Sequence, residues 1–201
     1  MGAENVAEAH GHSLILANSA EDTSREQAYL DLFEQQRVQG VLITPVGQVL
    51  DRLETMRQRG IPSILVDRLA AQDQFCSVSV DDVAGGRTAL AHLLEAGSLR
   101  PAFVGGPFTL QQVEDRHRGA SEEAARAGVS LQLFETPDLK FERGRQVGEL
   151  ISKLQPAKRP DAVFAANDQL ALGLLQSFAA NGLRVPEDML LVGFDDIDFG
   201  P

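Results

Sequence analysis

The chain has 201 residues and a hydrophobic content of 43%, enough for one large domain or two smaller lobes with a real core, which excludes a disordered tail. A net charge of −11 and a pI of about 4.8 exclude a basic nucleic-acid footprint, because grip on phosphate rests on clustered lysine and arginine. No stretch approaches the roughly 18 consecutive apolar residues of a membrane helix, and the opening MGAENVAEAHGH lacks the basic-then-apolar pattern of an export signal.

The spacing of apolar residues predicts elements in a regular order. Ala3–His10 reads as a short helix stopped by Gly11, and Ser13–Ala17 as a strand ending at Asn18-Ser19. A helix follows over Ser24–Arg37, with Tyr29, Leu32, Phe33 and Gln36 on one side, and then a strand over Val38–Thr44. Val49–Arg59 is helical, with Leu50, Leu53 and Met56 in one stripe and Gly60 closing it, and Ile61-Pro62 leads into the strand Ser63–Asp67. The alternation over Ser77–Asp81 suits an extended segment with one side buried. The lone cysteine, Cys76, reads as a small buried residue on a strand, unable to form an internal disulfide and at home in a reducing cytosol.

The second half repeats the alternation. A helix over Gly85–Glu95 precedes the strand Ala102–Gly105, a helix from about Val113 to Ala127, and the strand Leu131–Glu135. The helix from about Glu142 to Leu154 places Val147, Leu150, Ile151 and Leu154 on one stripe. Ala162–Ala166 is a buried-strand run, Asn167-Asp168 opens a helix whose Leu170, Leu174 and Phe178 share a face, and Gly182 and Pro186 stop it. A last strand, Met189–Gly193, delivers Phe194-Asp195-Asp196. Strands alternating with helices of this length predict an α/β fold of parallel sheets with ligands beyond the carboxyl ends of the strands.

Other motifs carry little. Phe194-Asp195-Asp196-Ile197-Asp198 lacks the glycine and terminal glutamate of a calcium loop. Gly85-Gly86-Arg87-Thr88 lacks the lysine and spacing of a phosphate loop, and Gly105-Gly106-Pro107 lacks the third glycine of a dinucleotide fingerprint. No catalytic constellation, metal set or cofactor motif emerges.

The ordered motifs together resemble the sensor domain of the lactose-repressor (LacI) family of bacterial transcription regulators. They are Arg37-Val38-Gln39-Gly40-Val41, Gly60-Ile61-Pro62, Val66-Asp67-Arg68, Asp81-Asp82-Val83-Ala84-Gly85-Gly86, Gly105-Gly106-Pro107, Arg116 with Gly119, and the run from Asp161 to Asp196. The resemblance implies a two-lobed periplasmic-binding-protein-like fold, with lobes over residues 1–81 and 82–201 hinged around a cleft and the first crossover between them near Asp81-Asp82. It further implies a cytoplasmic homodimer that binds a small-molecule effector, a sugar, and reaches operator DNA through a domain outside these residues, with no membrane partner and no catalysis. Against family members, the chain reads as an internal fragment: the DNA-binding head and first strand precede it, and further strands follow Phe199-Gly200-Pro201. A periplasmic sugar-binding protein of the same fold is the main alternative, and an α/β enzyme a third.

The resemblance also implies site residues. Arg116, Asn167 and Asp195 match family positions that contact the effector; a carboxylate and an amide each take two hydrogen bonds in a plane, and arginine offers a rigid fork of donors. Read from the residues alone, Asp195 also suits a turn, Asn167 a helix cap and Arg116 a solvated face. Leu139 stands where some members place a stacking aromatic, which favours a sugar over a flat base. Asn18 and Asp67 end first-lobe strands and suit either the cleft or a turn.

Overall fold

The computed structural model of the chain describes residues 2–20, 22–68 and 74–198. The terminal Phe199-Gly200-Pro201 lies outside them. The chain divides into two compact units, one ending at Ser79 and the other beginning at Val80.

The first unit contains α1 (Gly2–Ala9), α2 (Thr23–Gln35), β1 (Val41–Ile43), α3 (Leu50–Gln58), β2 (Ser63–Val66) and β3 (Cys76–Val78), the strands forming a parallel sheet in the order β1-β2-β3. Its core is Leu30, Val41, Val49, Leu53, Met56, Ile61 and Leu65. The α3 stripe behaves as its spacing demands, with Leu53 and Met56 fully buried. On α2 the buried residues are Glu26 and Leu30; of the expected Tyr29, Leu32, Phe33 and Gln36, Phe33 packs partly buried against the core and Leu32 is exposed. Glu26 hides this face from an apolar count: its Oε1 accepts from the Val46 N–H at 2.8 Å, so a carboxylate occupies an inward position.

Two further expectations fail in this unit. Ser13–Ala17 forms no strand, and Leu14, Ile15 and Leu16 stay exposed. A strand needs a neighbour's backbone, and this segment pairs with none of β1 to β3. Cys76 is exposed, not buried, and so are Val78 and Val80. Cys76 and Val78 lie on β3, the sheet's edge, where the alternation carries them onto an uncovered side.

The second unit runs α4 (Asp82–Glu95), β4 (Pro101–Gly105), α5 (Gln111–Ala127), β5 (Gln132–Glu135), α6 (Phe141–Lys153), β6 (Ala162–Ala165), α7 (Asp168–Ala180) and β7 (Leu190–Val192). Its four strands are parallel in the order β5-β4-β6-β7. Every residue of β4 and β6 is buried, as expected for central strands covered on both faces, and Phe103 and Phe164 pack edge to face with centroids 5.2 Å apart. Leu170, Leu174 and Phe178 are fully buried from α7, matching their spacing. On α6 Gly144, Gly148 and Ile151 are buried and Val147 packs against the core, as the stripe predicts for Ile151 and Val147, while Leu150 is exposed, because α6 meets α7 closely through its small residues.

The same device joins α4 to α5 and positions everything that follows. A Cβ on Gly119 would lie 2.0 Å from the Val83 carbonyl oxygen, and one on Gly86 would lie 2.0 Å from that of Arg116. The two helices touch backbone to backbone. Gly119→Ala must push them apart, and a urea melt of the 201-residue chain is expected to show a loss of about 1–3 kcal/mol, at the upper end because the obstruction is main chain.

Candidate functional site

The inner face of α5 carries Val113, Arg116, Gly119, Ala120 and Ala124, so a guanidinium stands where the pattern calls for an apolar residue. Arg116 is only 5% exposed. A charge buried so deeply is tolerated only when paired and hydrogen-bonded. Its Nε donates to Oδ1 of Asp82 at 2.8 Å, and its Nη1 donates to the carbonyl of Ala166 at 2.7 Å. Nη1 also stands 3.6 Å from Oδ1 of Asp195, and the guanidinium carbon lies 3.8 Å from the centre of the Phe194 ring, a cation–π contact. One side chain therefore ties together α4, α5, the end of β6 and the loop after β7.

The sequence prepares each partner. Asp81 caps α4 by accepting from the Ala84 N–H at 2.9 Å, which sets Asp82 in the first turn with its side chain inward. The two glycines that follow are explained by packing, not by phosphate: Gly85 leaves room for the Phe194 ring and Gly86 for the backbone of α5. Beyond β6, Asn167 is extended and caps α7, its Oδ1 accepting from the Leu170 N–H at 3.0 Å. Asp168 follows; its N–H donates to the Phe194 carbonyl at 2.9 Å, and its Oδ2 accepts from the Ile197 N–H at 2.9 Å. The loop so held carries Asp195, with φ 107 and a side chain 38% exposed, and Asp196, with φ 54.

Of the residues singled out in the sequence, Arg116 and Asp195 are brought into ion-pair range, and Asn167 stands directly after the carbonyl that Arg116 binds. Leu139 packs against the core of the second unit. Asn18 belongs to the first unit, where it is exposed and its Oδ1 accepts from the Ala20 N–H at 2.8 Å to close a turn. Asp67 also sits in a turn conformation, at φ 57. Two residues of this cluster escape a sequence reading. Asp82 looks like a marker of the junction, and Phe194 like the end of a strand; the signal for Asp82 was that an arginine on an inward helical face demands a carboxylate.

Beside Arg116, His117 lies edge-on to Phe103 and Phe108, with centroids 5.0 and 5.1 Å away. Burial among these rings lowers its pKa from the ordinary value. Among the described residues no three histidines, cysteines or carboxylates stand together as metal ligands. One guanidinium faces Asp82 and Asp195, and the adjoining loop and helix start add Asp196 and Asp168, so the cluster carries an excess of negative charge. Such a site offers acceptors to hydroxyl groups and repels anions.

The fold has counterparts. A family model described as a periplasmic binding protein-like domain matches residues 90–200, more than half of the chain. The chain belongs to that family. Within the family its relatives include the ribose operon repressor of Halalkalibacterium halodurans, 30% identical over 197 residues, which cover 98% of this chain and 57% of the relative. The transcriptional repressor CytR of Escherichia coli is 28% identical over 200 residues, covering 98% and 58%. A LacI-family regulator from Lactobacillus casei, solved with bound glucose, has the same fold at a TM-score of 0.83 and 24% identity, covering 96% of this chain and 73% of that one. The chain thus spans less than three fifths of the curated relatives' length, and the resemblance to LacI-family sensor domains read from its motifs is borne out.

Two outcomes follow from the buried cluster. Asp82→Ala strands the Arg116 charge and is expected to lower unfolding free energy by about 3–5 kcal/mol in urea melts, whereas Glu122→Ala, which breaks an exposed pair with Arg87, is expected to cost less than about 1 kcal/mol. For His117 the unfolded chain takes up a proton near pH 6.5, at the ordinary value, and the folded chain only at lower pH. Its contribution is therefore complete above that pH and is lost as pH falls below it. His117→Leu is expected to lose less stability than the parent between about pH 7.5 and about pH 5.5 in paired denaturation curves.

Proposed function

We propose that the chain is the effector-sensing domain of a LacI-type transcriptional regulator and that its effector is a neutral sugar. The observation that carries this reading is the state of Arg116. Two of its five N–H donors are held by Asp82 and Ala166, while the partly exposed carboxylate of Asp195 stands 3.6 Å away at the carboxyl end of the sheet. An arginine so paired orients an acceptor for hydroxyls, keeps N–H donors of its own for them, and, facing the carboxylates of Asp82 and Asp195, is a poor seat for an anion. Asn167, beside it, is proposed as the second contact, and Leu139 and Asn18 as minor ones. The repressor names of the two curated relatives support regulation over simple sugar capture or catalysis, and the ribose operon repressor makes ribose the first sugar to try.

In this reading the two lobes expected from the family likeness, residues 1–81 and 82–201, close on the sugar. Closure changes how two copies pair in the cytoplasm, and so shifts operator affinity through a DNA-binding domain outside these residues. Coupling of this kind requires that the sugar prefer one lobe arrangement. No helix among the described residues is long and apolar enough to cross a membrane.

Calorimetric titration of the chain with D-ribose, other pentoses and hexoses, and ribose 5-phosphate tests the reading. A neutral sugar is expected to bind, with the phosphate ester at least about tenfold weaker. Asp195→Ala is expected to weaken binding by about 1.5–3 kcal/mol, the worth of a hydrogen bond to a charged group. Binding of the phosphate ester alone, or unchanged affinity in Asp195→Ala, would overturn the assignment.

A further inference from the structure

We propose that Asp168 is the positioning residue of the site: it fixes the loop from Phe194 to Ile197 and thereby aims Asp195 at Arg116. The proposal rests on the sensing role given to Asp195 above, and it adds a residue that the family motifs and the relatives' names leave without a part.

Three contacts meet on this one residue. Its backbone N–H donates to the Phe194 carbonyl at 2.9 Å, at the start of the loop. Its Oδ2 accepts from the Ile197 N–H at 2.9 Å, at the loop's far end. Its Oδ1 fills the space beside Gly193, where a Cβ would come within 2.1 Å of it. Asp168 therefore spans both ends of the segment, and residue 193 must lack a side chain for the carboxylate to sit there. What lies between is unfavourable by itself. Asp195 at φ 107 and Asp196 at φ 54 occupy backbone regions that non-glycine residues enter at a cost, and they stay there only when the surroundings dictate it. The Phe194 ring, pressed against Gly85 and lying under the Arg116 guanidinium, anchors one flank; Asp168 supplies the other. The carboxylate also lies in the first turn of α7, where the helix N-terminus favours negative charge. Asp168 touches the ligand in no step of this account. It acts through Asp195.

Hydrogen exchange followed by NMR on the 201-residue chain separates this role from a general structural one. In Asp168→Ala the Ile197 amide is expected to exchange at least about tenfold faster, the loss of one charge-assisted hydrogen bond, while the Val104 and Phe164 amides in the central strands keep their rates. Asp168→Asn, which retains an amide oxygen as acceptor, is expected to restore most of the protection. Gly193→Ala, whose methyl displaces the carboxylate, is expected to reproduce the alanine signature, and it serves in place of Asp168→Ala if that variant does not fold. Unchanged Ile197 exchange, or exchange that rises equally in the central strands, overturns the proposal. The binding arm uses D-ribose as probe. Asp168→Ala is expected to weaken it about as much as Asp195→Ala, and the double variant no further; full affinity in Asp168→Ala overturns the link between loop and ligand. If the parent chain binds no ribose, the sugar assignment loses its first candidate, and the exchange measurement alone decides the role of Asp168.

Discussion

The second unit is organised around the burial of one positive charge. Arg116 sits on an inward helical face at the edge of an apolar core, and water cannot solvate it there. Its charge is answered by Asp82 from one helix, by a main-chain carbonyl from a strand end, by the face of Phe194 and by Asp195. Each partner arrives on a different element, so the guanidinium acts as a peg through which α4, α5, β6 and the β7 loop are held in one arrangement. A buried ion pair adds little net stability compared with apolar packing, because desolvation offsets attraction. Its value here is geometric: an arginine anchored by Asp82 and the Ala166 carbonyl leaves an aspartate beside it, partly exposed and fixed in direction.

That peg depends on the helices coming close. Gly86 and Gly119 remove the side chains that would separate α4 from α5, and only at backbone contact does Asp82 reach the arginine's Nε. The glycines, the acid and the arginine thus form one device, although they are spread over more than thirty residues. Likewise Gly193, Asp168 and the loop to Ile197 form a second device, which turns a backbone that aspartates resist into the one they adopt. The two meet at Asp195. Sensing of a neutral sugar, as proposed, would use the meeting point and leave both supports untouched.

Much of this was legible from residue order alone. Apolar runs such as Ala162–Ala165 and stripes such as Leu170, Leu174 and Phe178 determined strands and helices of the second unit, since burial on two faces or on one leaves a period that survives in the sequence. The pairing of Arg116 with a site near Asn167 and Asp195 was reachable only through the family likeness. Where the reading failed, the missing information was non-local. Ser13–Ala17 has the composition of a strand but pairs with no strand among the described residues, Cys76 and Val78 lie on an edge, and the inward Glu26 and Gly144 carry no apolar mark.

Sequence by itself therefore determined the alternation of strands and helices, the parallel α/β class and the candidate acids and amides at strand ends, because these follow from periods and turn chemistry within a dozen residues. Tertiary structure alone decided that Asp82 answers Arg116, that Phe194 lies beneath its guanidinium, and that Asp168 holds the loop bearing Asp195. Those contacts join positions about 30 to 80 residues apart, and no local pattern encodes which distant carboxylate a buried charge will find.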